Sequence, residues 1–297
     1  MNRCLGKASW LLMASVTSGV VAIASPGQAA SLAFSESLLE VTFNQDFFGS
    51  ATDTNTDTIA IAEDGEVMVD AIADAAAFND AAGADSCLFG LGNPGACNVA
   101  FSEAIGDDGN NYFGIGESFS EVIGDFFVAS GNSFSFDFIA SLLLETEIDR
   151  PDVEAAQATG EVSFSLYGGT QSNSLSLLDT FTLSGRLSTL GSDDNFTEPQ
   201  TSGALTFDTF FDTSFGGQSE FVDAFVEGSY SRSFDTDTYL QLVEVKTSSA
   251  CVATAASQQD CKQSVPEPTG VLALIAPLLG LTGFSLKKSS MASVRRS

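Results

Sequence analysis

The sequence predicts an all-β protein in which antiparallel sheets pack as a β-sandwich or a jelly roll. Three observations support this fold class. Apolar and polar residues alternate over long stretches, short runs rich in Gly, Asn, Asp and Ser separate these stretches, and no long helical pattern lies between them. Strands that follow one another across short turns are typical of antiparallel sheets stacked face to face.

The clearest alternating segment covers residues 133–148. Every second position is mostly apolar, and serine and acidic residues fill many of the positions between. Because successive side chains of a β-strand point to opposite faces, the pattern predicts a strand with one face in a core and one in water. The apolar row consists of Phe134, Phe136, Phe138, Ala140, Leu142, Leu144 and Ile148.

The same period of two predicts further strands on both sides of this segment. They are expected within residues 38–43, 59–62, 99–101, 112–128 with a break near Gly124, 162–166, 175–183, 205–211, 221–227 and 239–245. Glycine-rich or Asn/Asp-rich turns are expected at residues 106–111, 168–169, 192–195 and 216–217. The apolar rows predicted for the later strands include Leu177, Phe181 and Leu183, and Tyr239, Gln241, Val243 and Val245.

One segment, residues 66–77, fits two kinds of structure. Val67, Val69 and a row of alanines alternate with acidic residues, which favours a strand, yet the alanine content also suits a short helix. We predict a long strand here.

Residues 1–29 are predicted to form a secretory signal peptide with a short signal helix. Two basic residues precede an apolar run over residues 10–24, and Pro26 and small residues follow. A basic start, an apolar stretch of about 15 residues and small side chains before a cut are typical of such leaders. The alternative is a retained membrane anchor, but a bilayer needs about 20 apolar residues.

The C-terminal segment combines a proline motif, an apolar stretch and a basic tail. The motif, residues 265–268, contains Pro266, Glu267 and Pro268, and eighteen uncharged residues follow over residues 269–286. A helix of that length measures about 27 Å, close to the thickness of a bilayer core. The tail, residues 287–297, has no acidic residue and carries Lys287, Lys288, Arg295 and Arg296. Such a tail predicts a cytoplasmic C-terminus and an exported ectodomain.

This combination resembles the PEP-CTERM sorting signal of Gram-negative bacteria and cyanobacteria. The resemblance implies that a membrane enzyme called exosortase recognises Pro266, Glu267 and Pro268, removes the helix, and releases or transfers the protein outward. It covers only the last 33 residues, and the eleven-residue tail after Leu286 is longer than is usual for that family. A plain C-terminal membrane anchor is the alternative.

Between these ends lies a predicted single ectodomain, residues 30–264, that is strongly acidic. The chain has 39 acidic and 11 basic residues, and all the acidic ones except Glu267 lie in this region. Such a charge argues against nucleic acid or an anionic lipid surface as a partner. Calcium is a natural counter-ion, but we favour the simpler interpretation that the charge keeps the protein soluble.

The ectodomain contains four cysteines in two neighbouring pairs. Cys87 and Cys97 enclose nine residues, as do Cys251 and Cys261. An even number of cysteines in an exported chain predicts disulfides, and local pairing is the simplest of three possible connectivities. Zinc is the alternative, but the cysteines lack the close C-x-x-C spacing of zinc sites and the chain has no histidine.

A candidate metal site lies in an acidic segment near the start of the ectodomain. Asp53, Asn55 and Asp57 place oxygen ligands at alternate positions, as the first half of a calcium-binding EF-hand loop does. The expected turn glycine and bidentate glutamate are missing. We therefore favour a solvated turn over a calcium loop.

Little in the sequence supports catalysis. The absence of histidine removes the usual general base and the Ser-His-Asp triad, and no nucleophile elbow or phosphate-binding glycine loop is present. The sequence thus predicts a non-catalytic structural or adhesive protein of the cell surface or exopolysaccharide matrix. An extracellular carbohydrate-binding module is the second hypothesis, although the only tryptophan, Trp10, lies in the leader. A glycan-cleaving enzyme is the third.

Overall fold

A computed structural model describes residues 29–62, 68–80, 95–107, 111–189, 193–200, 203–254 and 261. All of them belong to the first of the two units into which the chain divides, Met1–Gln263. The predicted signal peptide, except for its last residue, and the whole predicted sorting signal lie outside the described residues.

The described residues form twelve β-strands and no helix. None of these residues therefore belongs to a helix long and apolar enough to cross a membrane. The strands are β1 (Ala29–Phe43), β2 (Gly49–Ala62), β3 (Val69–Asp80), β4 (Gly95–Asp107), β5 (Tyr112–Val128), β6 (Ser133–Ile148), β7 (Glu154–Gly169), β8 (Ser176–Ser188), β9 (Asn195–Thr197), β10 (Leu205–Ser214), β11 (Ser219–Ser233) and β12 (Thr238–Thr254).

The strands form two six-stranded sheets in which every pairing is antiparallel. Sheet A has the order β10-β11-β6-β1-β4-β3, and sheet B has the order β2-β5-β12-β7-β8-β9. The all-β prediction is confirmed, and two antiparallel sheets with a shared core are consistent with a β-sandwich. The first and last strands, β1 and β12, lie in the middle of sheets A and B.

Strand β6 matches the clearest sequence prediction at both ends. It covers Ser133–Ile148, and the whole predicted apolar row is buried. The segment for which the sequence allowed a strand or a helix is also a strand, since β3 covers Val69–Asp80.

The predicted break in β5 is wrong, because Gly124 pairs with Leu242 on one side and with Ser50 on the other. A glycine fits there because a Cβ would lie only 3.1 Å from the ring of Phe126.

The inward face of β8 differs from the predicted row at one position. The register between β7 and β8 shifts after Leu166, so that Asp179 and Leu177 are consecutive partners and Leu178 is the extra residue. This bulge leaves the side chain of Leu177 55% exposed, while Leu178 packs against the core. Phe181 and Leu183 are buried as predicted.

Strand β12 is predicted correctly, but its apolar row lies on the outer face. The inner row instead contains Leu240, Leu242 and three polar residues, Glu244, Lys246 and Ser248, all buried. Because these polar side chains interrupt the inner apolar row, the sequence pattern favoured the opposite face.

Aromatic rings fill one part of the space between the sheets. Phe164 of sheet B lies 5.5 Å from Phe136 and 5.3 Å from Phe138 of sheet A, measured between ring centroids. The ring of Phe181 stacks on Phe164 at 5.1 Å with an angle of 9° between the planes. The edge-on contacts join the two sheets, and the stacked pair lies within sheet B, all in one continuous apolar core.

Serine side chains join the sheets in the other part of this space. The hydroxyl of Ser35 donates to the carbonyl of Thr159 at 2.7 Å, and that of Ser37 donates to the carbonyl of Thr247 at 3.0 Å. In return, the Ser248 hydroxyl donates to the Ser35 carbonyl at 2.7 Å. A hydrogen bond from a short serine side chain to the backbone of the other sheet requires the two sheets to lie close together. Gly160 of sheet B fits this close approach, because a Cβ at this position would clash with the side chain of Leu142 in sheet A.

Replacing Phe164 by alanine is expected to lower the free energy of unfolding by about 3–5 kcal/mol, because a ring that contacts both sheets leaves a cavity. Chemical denaturation monitored by fluorescence or circular dichroism measures the change. The matched control is Phe48→Ala, since that ring is 65% exposed, and its effect should stay within about 0.5 kcal/mol. Equal losses in the two variants would contradict the assigned core.

Candidate functional site

The predicted site residues fall into two groups, one of which lies outside the described residues. Cys87 and the complete sorting motif with its basic tail belong to that group: Pro266, Glu267, Pro268, Lys287, Lys288, Arg295 and Arg296. The second group comprises Cys97, Cys251, Cys261, Asp53, Asn55 and Asp57.

A disulfide joins Cys251 and Cys261, as local pairing predicts. It connects the outer row of β12 to the chain beyond that strand, and both cysteines pack against Phe113 and Ala253. Cys97 is also disulfide-bonded and buried. Oxidised sulfurs cannot act as thiolate ligands, so the four-thiolate zinc alternative is wrong.

The acidic segment predicted as a turn is a strand. Asp53, Asn55 and Asp57 lie within β2, which runs without interruption over Gly49–Ala62. In an extended strand, side chains two residues apart are about 7 Å apart, whereas calcium needs its oxygens at about 2.4 Å from the ion. The three side chains therefore do not form a loop-type calcium site, and the described residues contain no group of three or more acidic or cysteine side chains placed to hold a metal.

Strand β2 instead places its carboxylates opposite carboxylates of β5. Asp53 pairs with Glu121, and Asp57 pairs with Glu117, so each pair shares the outer face of sheet B. Burial raises the pKa of Glu121, and the charge of Asp53 raises it further. Burial and the charge of Asp57 raise the pKa of Glu117 in the same way. Each pair thus repels at neutral pH.

The outer face of sheet A carries a groove of about 620 Å³ that runs across four strands. Cross-strand pairing arranges its side chains in two adjacent rows. The first row is Glu40, Ile139, Glu227 and Asp208, and the second is Thr42, Asp137, Ser229 and Thr206. We name these eight residues the sheet A groove.

The sheet A groove presents carboxylates and hydroxyls together. Four of its side chains are carboxylic acids and three are hydroxyls, and the hydroxyls of Thr206 and Ser229 lie 3.2 Å apart. Carboxylates accept strong hydrogen bonds from hydroxyl groups, and hydroxyls both donate and accept. The groove is therefore suited to a ligand with many hydroxyls.

Sequence reasoning did not find this groove. Its residues come from β1, β6, β10 and β11, and more than 160 residues of sequence separate β1 from β10. The signal present in the sequence was the set of acidic residues on predicted outward rows, such as Asp137 and Glu227. Only the strand order brings those rows side by side.

Few of the aromatic residues form an exposed platform. Phe127 and Tyr239 pair on the outer face of sheet B with ring centroids 5.2 Å apart, and Phe127 is 44% exposed. Many of the other phenylalanines in the described residues lie in or against the core, in agreement with the interpretation of these residues as core filling.

A pair of ionisable side chains, Lys246 and Glu244, is buried between the sheets. The Nζ of Lys246 lies 3.5 Å from the Oε2 of Glu244, and their side chains are 0% and 1% exposed. Burial lowers the pKa of Lys246 to about 7, against the opposing effect of Glu244. Burial also raises the pKa of Glu244, again against the effect of its partner. In the sequence these two residues contribute only to the counts of acidic and basic residues, and nothing in the pattern predicts that they are buried together.

A comparison with protein-family models, with curated proteins and with solved structures found no match to this chain.

The repelling pairs on β2 and β5 predict greater thermal stability at pH 5 than at pH 7. A carboxyl whose pKa is higher in the folded state than in the unfolded state favours folding at low pH, and this contribution is lost as the pH rises through the folded pKa. The double variant Asp53→Asn, Asp57→Asn should therefore unfold at a higher temperature at pH 7 and depend less on pH. The expected gain at pH 7 is on the order of 1 kcal/mol.

Asp152→Asn with Asp235→Asn is the matched control for this experiment, because both residues are exposed in turns and the net charge changes equally. Calorimetry at pH 5 and pH 7 measures all three proteins. If the control variant gained as much stability as the β2 variant, overall charge rather than cross-strand repulsion would be responsible.

Proposed function

We propose that this chain is an exported, non-catalytic structural or adhesive protein of the cell surface or exopolysaccharide matrix. The observation that carries the proposal is the C-terminal order of Pro266, Glu267 and Pro268, an apolar stretch and a basic tail. In this proposal an N-terminal signal helix starts export, and a transmembrane helix over residues 269–286 holds the chain in the inner membrane. Exosortase then cleaves at the motif.

Two features of the ectodomain support this proposal. A disulfide between Cys251 and Cys261 suits an oxidising compartment outside the cytoplasm. Two antiparallel sheets with a shared core, consistent with a β-sandwich, are suited to a structural role. The net charge of −28 also argues against nucleic acid as a partner.

A second candidate function is carbohydrate binding at the sheet A groove. The observation that favours it is the arrangement of carboxylates and hydroxyls along an open groove of about 620 Å³. Such groups can hydrogen-bond the hydroxyls of an exopolysaccharide chain lying across the strands. A binding module of this kind would attach the protein to its matrix, so the two functions are compatible.

The sorting proposal predicts that Glu267→Ala retains the full-length protein in the inner membrane, while the unchanged chain is shortened and found outside. Because the substitution lies within the motif, it should block cleavage without affecting the strands. Gln263→Ala, which lies just before the motif, is the control and should be processed normally. Fractionation followed by immunoblotting and intact mass measures both. A wild-type chain recovered in the cytosol would contradict the proposal.

The binding hypothesis predicts that Asp208→Asn with Glu227→Gln weakens binding of the purified protein to exopolysaccharide at least tenfold. Both substitutions remove charge but keep the size of the side chains, so the fold should be unaffected. The control is Asp152→Asn with Asp235→Asn, which changes the charge equally away from the groove. Binding is measured on a glycan array and by calorimetry. Equal binding by the two double variants would exclude the groove.

A further inference from the structure

The space between the sheets contains three functional groups that rarely lie in a protein interior. Lys246 and Glu244 of β12 are buried together, and the amide side chain of Asn98 in β4 is 0% exposed. Burying an amine, a carboxyl and an amide costs free energy unless each is bonded. Neither the Nδ2 nor the Oδ1 of Asn98 has a hydrogen-bond partner, so its burial is uncompensated.

The hydrogen bonds between the sheets determine which residues of β4 lie over β12. The hydroxyl of Ser102 donates to the carbonyl of Ser248 at 3.1 Å and lies 3.3 Å from the hydroxyl of Ser118. Ser118 and Ser248 are direct partners in sheet B. Ser102 is therefore positioned above the β5–β12 ladder at this pair.

The relative direction of β4 and β12 shows which other residues of these two strands face each other. Ser35 contacts Ser248 and Ser37 contacts Thr247, so β1 runs antiparallel to β12 across the gap. Since β4 is antiparallel to β1, it runs in the same direction as β12. Moving four residues back from Ser102 and from Ser248 brings Asn98 over Glu244.

Between these positions the structure leaves room for the lysine side chain. Ala100 lies on the inner row of β4 between Ser102 and Asn98, and its small side chain is fully buried. Lys246 extends along β12 toward Glu244, which is the direction of Asn98. Ser120, the partner of Lys246 on β5, has a buried hydroxyl without a hydrogen bond. The amine and the carboxyl therefore lie on the inner row of β12, opposite the part of β4 that carries the amide.

We propose that Lys246 and Asn98 form an intramolecular isopeptide bond, with Glu244 as the group that transfers the proton. The neutral Nζ of Lys246 attacks Cγ of Asn98, forming a C–N bond, and the bond between Cγ and Nδ2 breaks. Glu244 takes a proton from Nζ and delivers it to the leaving nitrogen, which departs as ammonia. The step needs no oxidant, cofactor or second substrate.

The environment of the three groups favours this reaction. A lysine with a pKa of about 7 is largely uncharged at slightly alkaline pH, and only the uncharged amine is a nucleophile. Burial raises the pKa of Glu244, which makes its carboxylate a stronger proton acceptor than an exposed one. Water is excluded from the interior, which disfavours hydrolysis of the product. The bond would join β4 of sheet A to β12 of sheet B covalently.

Mass spectrometry of the purified full chain tests the proposal. The folded protein should be lighter than its sequence mass by one ammonia, after reduction of the disulfides and correction for any terminal cleavage. Trypsin should not cut after Lys246, and the peptide containing this residue should be joined to the peptide containing Asn98. Free peptides with complete cleavage after Lys246 would overturn the proposal, as would ammonia loss without a branched peptide.

Variants separate the role of Glu244 from a purely structural one. Glu244→Gln keeps the shape of the side chain but cannot carry the proton, so the branched peptide should fall at least tenfold. Glu220→Gln is the matched control, because this carboxyl is also buried but bonds Thr146 of β6, and cross-linking should be complete. Cross-linking in Glu244→Gln at the wild-type level would overturn the assigned role. The wild-type peptide map remains decisive if that variant does not fold.

Discussion

The close approach of β1 and β12 holds the two sheets together. Each strand lies in the middle of its sheet, and the hydroxyls of Ser35, Ser37 and Ser248 cross the gap between them. Hydrogen bonds of this kind are directional, unlike apolar contacts, so they fix the position of one sheet over the other. The aromatic cluster around Phe164 then fills the wider part of the gap. The hydroxyls fix the register of one sheet over the other, and the rings together with leucine, valine and alanine side chains supply the apolar burial.

This division explains why the sequence predicted some strands better than others. In β6 every inner residue from Phe134 to Leu144 is apolar, so alternation alone identified both the strand and its buried face. In β12 the inner row carries Glu244, Lys246 and Ser248, and the pattern pointed to the wrong face. A buried polar residue looks like a solvent-facing one in sequence, because its partners on other strands are not visible there.

The candidate sites were also predictable only where their residues are close together in the sequence. The pairing of Cys251 with Cys261 could be predicted because the loop that it closes is local. The sheet A groove could not be predicted, because it depends on the order of four strands from distant parts of the chain. For Asp53 and Asp57 the spacing suggested a turn, but the run of threonine and isoleucine around them has high β propensity and forms a continuous strand. The β propensity of these neighbouring residues therefore predicts the structure of the segment better than its similarity to a calcium-binding loop does.

The position of β12 also bears on the order in which the molecule can assemble. Sheet B has β5 and β7 on either side of a gap that only the last strand fills, and the hydrogen bonds of Ser37 and Ser248 between β1 and β12 can form only then. Contacts between the two ends of a long chain form late, since they require closure of a large loop. A chain emerging N-terminus first therefore stays incompletely folded until its final strand is available. Before that strand arrives, sheet B consists of two separate parts, β2-β5 and β7-β8-β9, which no strand pairing joins.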